Sequence, residues 1–212
     1  FGGNAMVDKK LKSSFAKDVV LLKLVGMNPV IIHGGGPQIN ESLNKAGKKS
    51  VFEQGIRVTD QETMRIVSSV LNDINKQIVA LIRENGGDAK SYISKDNKGI
   101  IKAKKIQVKQ RAVDLGYVGE IVSVDTSFMK NLTDEAVIPI ITSIGIGNDN
   151  KIYNINADVV ASKFSEVLKA EKLVLMTNTK GVLDRKKNLI TGLIPKEIRR
   201  LIADGTISEG ML

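Results

Sequence analysis

Three short runs decide what this 212-residue chain can fold into: Pro29-Val30-Ile31-Ile32, Val137-Ile138-Pro139-Ile140-Ile141 and Leu173-Val174-Leu175-Met176. Each is apolar at consecutive rather than alternate positions. Both faces of the strand it forms must therefore be covered, which is the habit of parallel strands sandwiched between helices. The segments between them have helical period. Leu11, Phe15, Val19, Leu22 and Val25 predict an amphipathic helix over 8–25. Met64, Val67, Leu71, Ile74, Ile78 and Leu81 mark one face of a longer helix ending near Asn85-Gly86-Gly87. Its start, Thr59-Asp60-Gln61-Glu62, reads as a capping box with Thr59 as cap and Glu62 reaching back. Further helices are expected from Pro37 to about Ala46, over 157–168 and over 196–203. Residues 89–124 carry short β-like runs with turn signals at 96–99 and 114–116, read as antiparallel hairpins projecting from the main sheet. The expected fold is α/β: a three-layer αβα sandwich around a mainly parallel central sheet, with β-hairpins to one side.

Composition excludes several chemistries. There is no cysteine, hence no disulfide framework and no thiolate metal site, and the one histidine, His33, cannot build an imidazole cluster. This fits a reducing, cytoplasmic setting. No apolar run approaches the roughly 20 residues of a membrane-spanning helix, so no membrane role is expected. The net charge of +9 invites a nucleic-acid reading. However, only residues 102–111 are densely basic, and aromatics are 4% with no tryptophan, so a base-stacking platform is poorly supplied. A lysine-rich solvated surface, with no nucleic-acid partner, is the preferred reading. The opening Phe1-Gly2-Gly3, without an initiator methionine, suggests a piece of a longer protein.

The strongest local feature is the sequence strand, Gly34-Gly35-Gly36, helix. Glycines let a ligand approach the backbone, and the following helix presents unpaired N–H groups and the positive end of its dipole to an anion. Neither the Walker ending nor dinucleotide spacing is present, so the anion is not specified. His33 reads as a strand-end residue with a structurally hydrogen-bonded ring rather than as a base. Arg57, in Gly55-Ile56-Arg57-Val58-Thr59, either forks onto a carboxylate or lies on the surface; the residues alone leave both open. Asn154, Asn156 and Asp158 fall at i, i+2 and i+4, lining a cleft or capping the helix that follows. Thr177-Asn178-Thr179-Lys180-Gly181 leaves the third strand at its carboxyl end, where ligands collect in open α/β sheets.

Six motifs in order are similar to the amino-acid kinase family, and within it to the branch acting on N-acetyl-L-glutamate. They are residues 1–6, Val30 to Pro37, Gly55 to Asp60, Leu115 to Glu120, Asn154 to Asp158 and Gly205 to Ser208, spread over essentially the whole chain. The resemblance implies the amino-acid kinase fold, with the hairpins over the substrate site. It implies transfer of the ATP γ-phosphoryl, with Mg²⁺, to the side-chain carboxylate of N-acetyl-L-glutamate in arginine biosynthesis. Gly35 and Gly36 would hold the substrate end nearest the phosphoryl, Arg57 its α-carboxylate and Asn154 its acetamido region. Asp158 would orient two catalytic lysines, expected just before Phe1 and just beyond Leu212. Gly2 and Gly3 would line the phosphate path, and Thr177, Asn178 and Gly181 would border the nucleotide. Residues 1–168 would form the substrate lobe and 169–212 the start of a nucleotide lobe cut short at its C-terminal end. A homo-oligomer, dimer or hexamer, and arginine feedback are implied as well. Phosphoryl transfer to a carboxylate needs no base, because the acceptor is already ionised, and it relies on alignment and positive charge.

Two residues depart from the family pattern: Asn178 stands where Asp is usual, and Glu209 where Gly is usual. The other readings are a sibling kinase for another acylated or carrier-linked amino acid such as aminoadipate, and a catalytically silent nucleotide-binding member. A free-acid phosphorylation assay separates the first, and the residue before Phe1 the second.

Overall fold

A computed structural model describes residues 9–53, 55–93, 99–107, 114–127, 136–177 and 179–207. Its central sheet is parallel and runs β1-β7-β4, where β1 is Ile31–His33, β7 is Ile138–Thr142 and β4 is Ala89–Tyr92. Successive side chains of β7 leave on opposite faces, and both faces are apolar, which explains the unbroken apolar run in the sequence. On one face Ile31, Ala89, Ile138 and Ile140 meet α1 (Lys9–Leu24) and α3 (Gln61–Glu84), through Val19, Val20, Ile74, Ile78 and Ile82. On the other, Ile32, Tyr92 and Ile141 meet Val160 and Phe164 of α4 (Ala157–Val167). These are the three expected layers.

A second sheet, β6-β5-β8-β9, extends from the carboxyl end of the first. It comprises β5 (Ile101–Lys105), β6 (Gly119–Val124), β8 (Ile144–Gly147) and β9 (Ile152–Asn154), with β8 following β7 after the single residue Ser143. Helix α2 (Gly36–Lys45) packs on α3 and β8 through Ile39, Leu43, Met64, Val67, Leu71 and Ile144. The hairpin of β2 (Phe52–Glu53) and β3 (Ile56–Arg57) turns at Gly55, whose φ of 77° suits a residue without a Cβ. The last described helix is α5 (Pro195–Ala203), where the Glu197 carboxylate accepts from the Ile194 N–H at 3.0 Å.

Three expectations need correction. Residues 89–92 belong to the parallel main sheet, paired with β7, and among the described residues β5–β6 is the antiparallel pair of the hairpins expected over 89–124. The cap of α3 is Asp60, whose carboxylate accepts from the Thr63 N–H at 2.7 Å. Thr59 is buried and its hydroxyl is engaged elsewhere, while Glu62 pairs with Lys48 at 2.8 Å instead of reaching back. The third apolar run forms no strand. No described residue offers residues 172–177 a ladder partner, and Leu173, Val174, Leu175 and Met176 are all exposed. A turn lies at Lys187-Asn188, with Lys187 at φ 63°.

Candidate functional site

The parallel strands β1 and β7 end against a cavity of about 210 Å³, lined by Gly34, Gly35, Gly36, Arg57, Asn154 and Asn156 among others. It is small beside drug-sized sites. Two helices begin at its wall. Helix α2 starts after Gly35, with Pro37 in the first turn and no acidic residue there; α4 starts at Ala157, capped by Asn156, whose Oδ1 accepts from the Asp158 N–H at 2.7 Å. Their positive ends meet at the same space, and no carboxylate is among the lining residues. Two such dipole ends can hold an anion, with Asp158 the acidic residue in the first turn of α4.

The glycine triplet divides its labour. A Cβ on Gly35 would lie 2.7 Å from Ile74 Cδ1 and 3.0 Å from Leu71 Cδ2, so this glycine lets the loop sit on α3. A Cβ on Gly36 would meet nothing within 4 Å. The two residues thus serve packing and access respectively.

His33 anchors the loop from behind. It is fully buried, with Nδ1 3.1 Å from the Gly34 carbonyl and Nε2 3.2 Å from Asn75 Nδ2. Asn75 also donates to the Ile140 carbonyl at 3.0 Å. Burial pushes the imidazole pKa down to about 4, so the ring is neutral, with Nδ1 donating to Gly34 and Nε2 accepting from Asn75. The structural reading of His33 holds, since both ring nitrogens are engaged by protein partners.

At Arg57 the surface reading falls away. It is 7% exposed rather than a surface residue. Nη1 donates to Ser50 Oγ at 2.7 Å, Ser50 donates to Asn40 Oδ1 at 2.7 Å, and the guanidinium lies 4.6 Å over the Phe52 ring. Desolvation lowers its pKa, and among the described residues no carboxylate pairs with it. A buried charge held only by neutral partners is costly unless a ligand supplies the counter-charge.

Three motifs far apart in sequence are braided here. The Thr59 N–H donates to the Leu115 carbonyl at 2.9 Å, the Thr59 carbonyl accepts from the Tyr117 N–H at 2.6 Å, and the Asn154 N–H donates to the Tyr117 carbonyl at 2.8 Å. Gly116, at φ 72°, permits the approach, since a Cβ there would run into the Thr59 carbonyl oxygen. The structure therefore brings Gly35, Gly36, Arg57 and Asn154 together. Asp158 is exposed, one residue beyond the lining residue Ala157. Thr177 and Gly181 do not line the cavity; Thr177 Oγ1 donates to the Thr179 carbonyl at 2.8 Å in an exposed local turn. Gly2, Gly3, Asn178 and Glu209 lie outside the described residues. Sequence reasoning missed Ser50, Phe52 and Asn75. Phe52 was detectable as the hairpin partner of Arg57 across Gly55; Asn75 was hidden, because a lone amide on a helix face has many uses.

Comparison with known proteins gives one answer. The sequence pattern of the amino acid kinase family matches residues 1–212. An acetylglutamate kinase of Cupriavidus pinatubonensis is 55% identical over all of this chain and 70% of its own length. One from Methylobacillus flagellatus is 56% identical over all of this chain and 74% of its own. Among solved structures, smu.665 from Streptococcus mutans UA159 superposes with a TM-score of 0.87 at 27% identity, over all of this chain and 83% of that one.

Proposed function

The chain belongs to the amino acid kinase family, and we propose that it is the core of an ATP-dependent kinase that phosphorylates the side-chain carboxylate of N-acetyl-L-glutamate. The observation that carries this reading is Arg57, a buried guanidinium without a carboxylate partner among the described residues, set in a cavity faced by two helix N-termini. Relatives more than half identical over the whole chain carry the name acetylglutamate kinase.

In this reading Arg57 receives the α-carboxylate, held in place by Ser50 and the Phe52 ring. Asn154 meets the acetamido group. The Gly35–Gly36 turn and the start of α2 face the side-chain carboxylate, which attacks the γ-phosphorus while the bond from phosphorus to the β-bridging oxygen breaks and ADP leaves. Backbone N–H groups fixed before the reaction stabilise charge on the transferring group without having to reorganise. Asp158, at the start of α4, orients the positive side chains that complete the site, while Gly2 and Gly3 line the phosphate path. Thr177, Asn178 and Gly181 border the nucleotide, in a lobe that starts at 169 beside a substrate lobe spanning 1–168. Mg²⁺, when bound with ATP, supplies positive charge on the phosphate oxygens. Among the described residues there is no group of three His, Asp or Glu side chains that could hold a metal ion. The proposal extends to arginine biosynthesis, a cytoplasmic place, a homo-oligomer (dimer or hexamer) and arginine feedback. Among the described residues no helix is long and apolar enough to cross a membrane.

The test is an assay of the full-length protein with ATP, Mg²⁺ and N-acetyl-L-glutamate, trapping the acyl phosphate with hydroxylamine. Hydroxamate that depends on both substrates is expected. ATP-dependent turnover of a carrier-linked acid with none of the free one would overturn the reading.

A further inference from the structure

Thr59 touches both halves of the substrate cradle, yet it does not line the cavity. It is fully buried. Its hydroxyl has one proton, which goes to the Arg57 carbonyl at 2.8 Å. Toward Asn154, 3.3 Å away, that hydroxyl can therefore only accept, and the atom facing it is Nδ2. The Asn154 side chain is thus held with one N–H turned to Thr59, while its Oδ1 accepts no hydrogen bond from a described residue and belongs to a residue that lines the cavity. Thr59 is not free to exchange these roles. Its N–H and carbonyl are fixed by Leu115 and Tyr117, and the Asn154 backbone by Tyr117.

We propose that Thr59 is a positioning residue that sets the Asn154 amide as an acceptor toward the substrate, so that the site selects acids carrying an N–H beside the α-carbon. The inference rests on the reading of the cavity as the N-acetyl-L-glutamate site. A buried acceptor facing a ligand without a donor is left unpaired, and this is how polar sites reject close analogues. The ester analogue 2-acetoxyglutarate has the shape of N-acetyl-L-glutamate with oxygen in place of the N–H.

The experiment titrates both acids by calorimetry into the full-length protein, its Thr59→Val variant and its Thr59→Ser variant. The wild type should prefer the amide by about tenfold or more, the order expected of one unmade hydrogen bond. Thr59→Val should lose most of that preference, and Thr59→Ser, which keeps the hydroxyl, should retain it. A Thr59→Val variant that melts earlier but keeps the preference would show a purely structural role and overturn the inference. If Thr59→Val lacks a cooperative melt, NMR of the wild type decides. An Asn154 Nδ2 proton close to the Thr59 methyl, with ligand bound, is expected; one close to the acetyl methyl instead overturns the assignment. A wild type that binds neither acid removes the cavity reading itself, and this inference with it. A wild type that binds both equally removes the inference alone.

Discussion

Around the cavity, polar groups find partners far away in sequence: Thr59 with Asn154 across 95 residues, Asn75 with Ile140 across 65, and His33 with Asn75 across 42. In the stretch after residue 172 most bonds are local. Thr177 pairs with Thr179, Asp184 with Lys186 and Asn188, and the neighbouring apolar residues 173–176 stay exposed. The longer ties of the last segment, from Arg185 to Thr206 and the Asp204 carbonyl, are exposed as well. The contrast teaches that the cavity is a product of tertiary closure, whereas the described residues after 172 are held mostly by short-range contacts. Long-range closure fixes side chains against each other and makes a preorganised receptor. Local turns hold a loop's shape without fixing where it faces.

The comparison breaks first at Gly116. Gly116→Ala should cost more than about 3 kcal/mol in chemical unfolding, because a Cβ at positive φ meets the Thr59 carbonyl inside the braid. A loss as small as that of a surface substitution would show that the braid does not hold the site.

The second test is pH. His33 is neutral when folded, with its pKa lowered from 6.5 to about 4, so the unfolded chain takes up its proton first. The stability this provides is complete above pH 6.5 and is lost as pH falls through 4. Between pH 6.5 and 4.5 the loss should be about 2 kcal/mol, read as a falling urea midpoint. His33→Gln should flatten that slope, since no other histidine is present.

Gly35 and Gly36 sharpen the contrast within one loop. Gly35→Ala should lower stability by about 1 to 2 kcal/mol through overpacking on Ile74 and Leu71. Gly36→Ala should melt within a degree or two of wild type but bind N-acetyl-L-glutamate more weakly, since its Cβ enters open space beside the cavity. The smallest effect is expected at Val174, which is 70% exposed; Val174→Ser should change stability by less than about 0.5 kcal/mol. A large loss there would mean that residues 173–176 are packed as the sequence suggested.

That last point marks where the sequence was legible. Apolar runs at 31–32 and 138–141 gave strands because helices cover both of their faces, and periodicity placed α1 and α3 to within a residue or two. The same kind of run at 173–176 gave no strand, because a strand needs a neighbour and residue type alone does not supply one. Ala89-Lys90-Ser91-Tyr92 failed in the opposite sense. Its mixed composition hid a main-sheet strand whose Ala89 and Tyr92 are buried on opposite faces. Of the cavity lining, Gly35, Gly36, Arg57 and Asn154 could be read from motifs. Thr59 looked like a helix cap because Ser, Thr and Asp are interchangeable in that role, and only the tertiary bond to Asn154 distinguishes it.

The central claim is that Arg57 waits, preformed, for a carboxylate. It is tested most directly by titrating N-acetyl-L-glutamate, without nucleotide, into the full-length protein and its Arg57→Ala variant by calorimetry, with melting curves on both. The predicted result is saturable binding by the wild type, weakened at least about a hundredfold in the variant, the order expected for loss of a charge-assisted pair. The variant should still fold cooperatively, because removing an unpaired buried charge leaves no partner charge stranded. Equal binding by a folded Arg57→Ala variant would contradict the account.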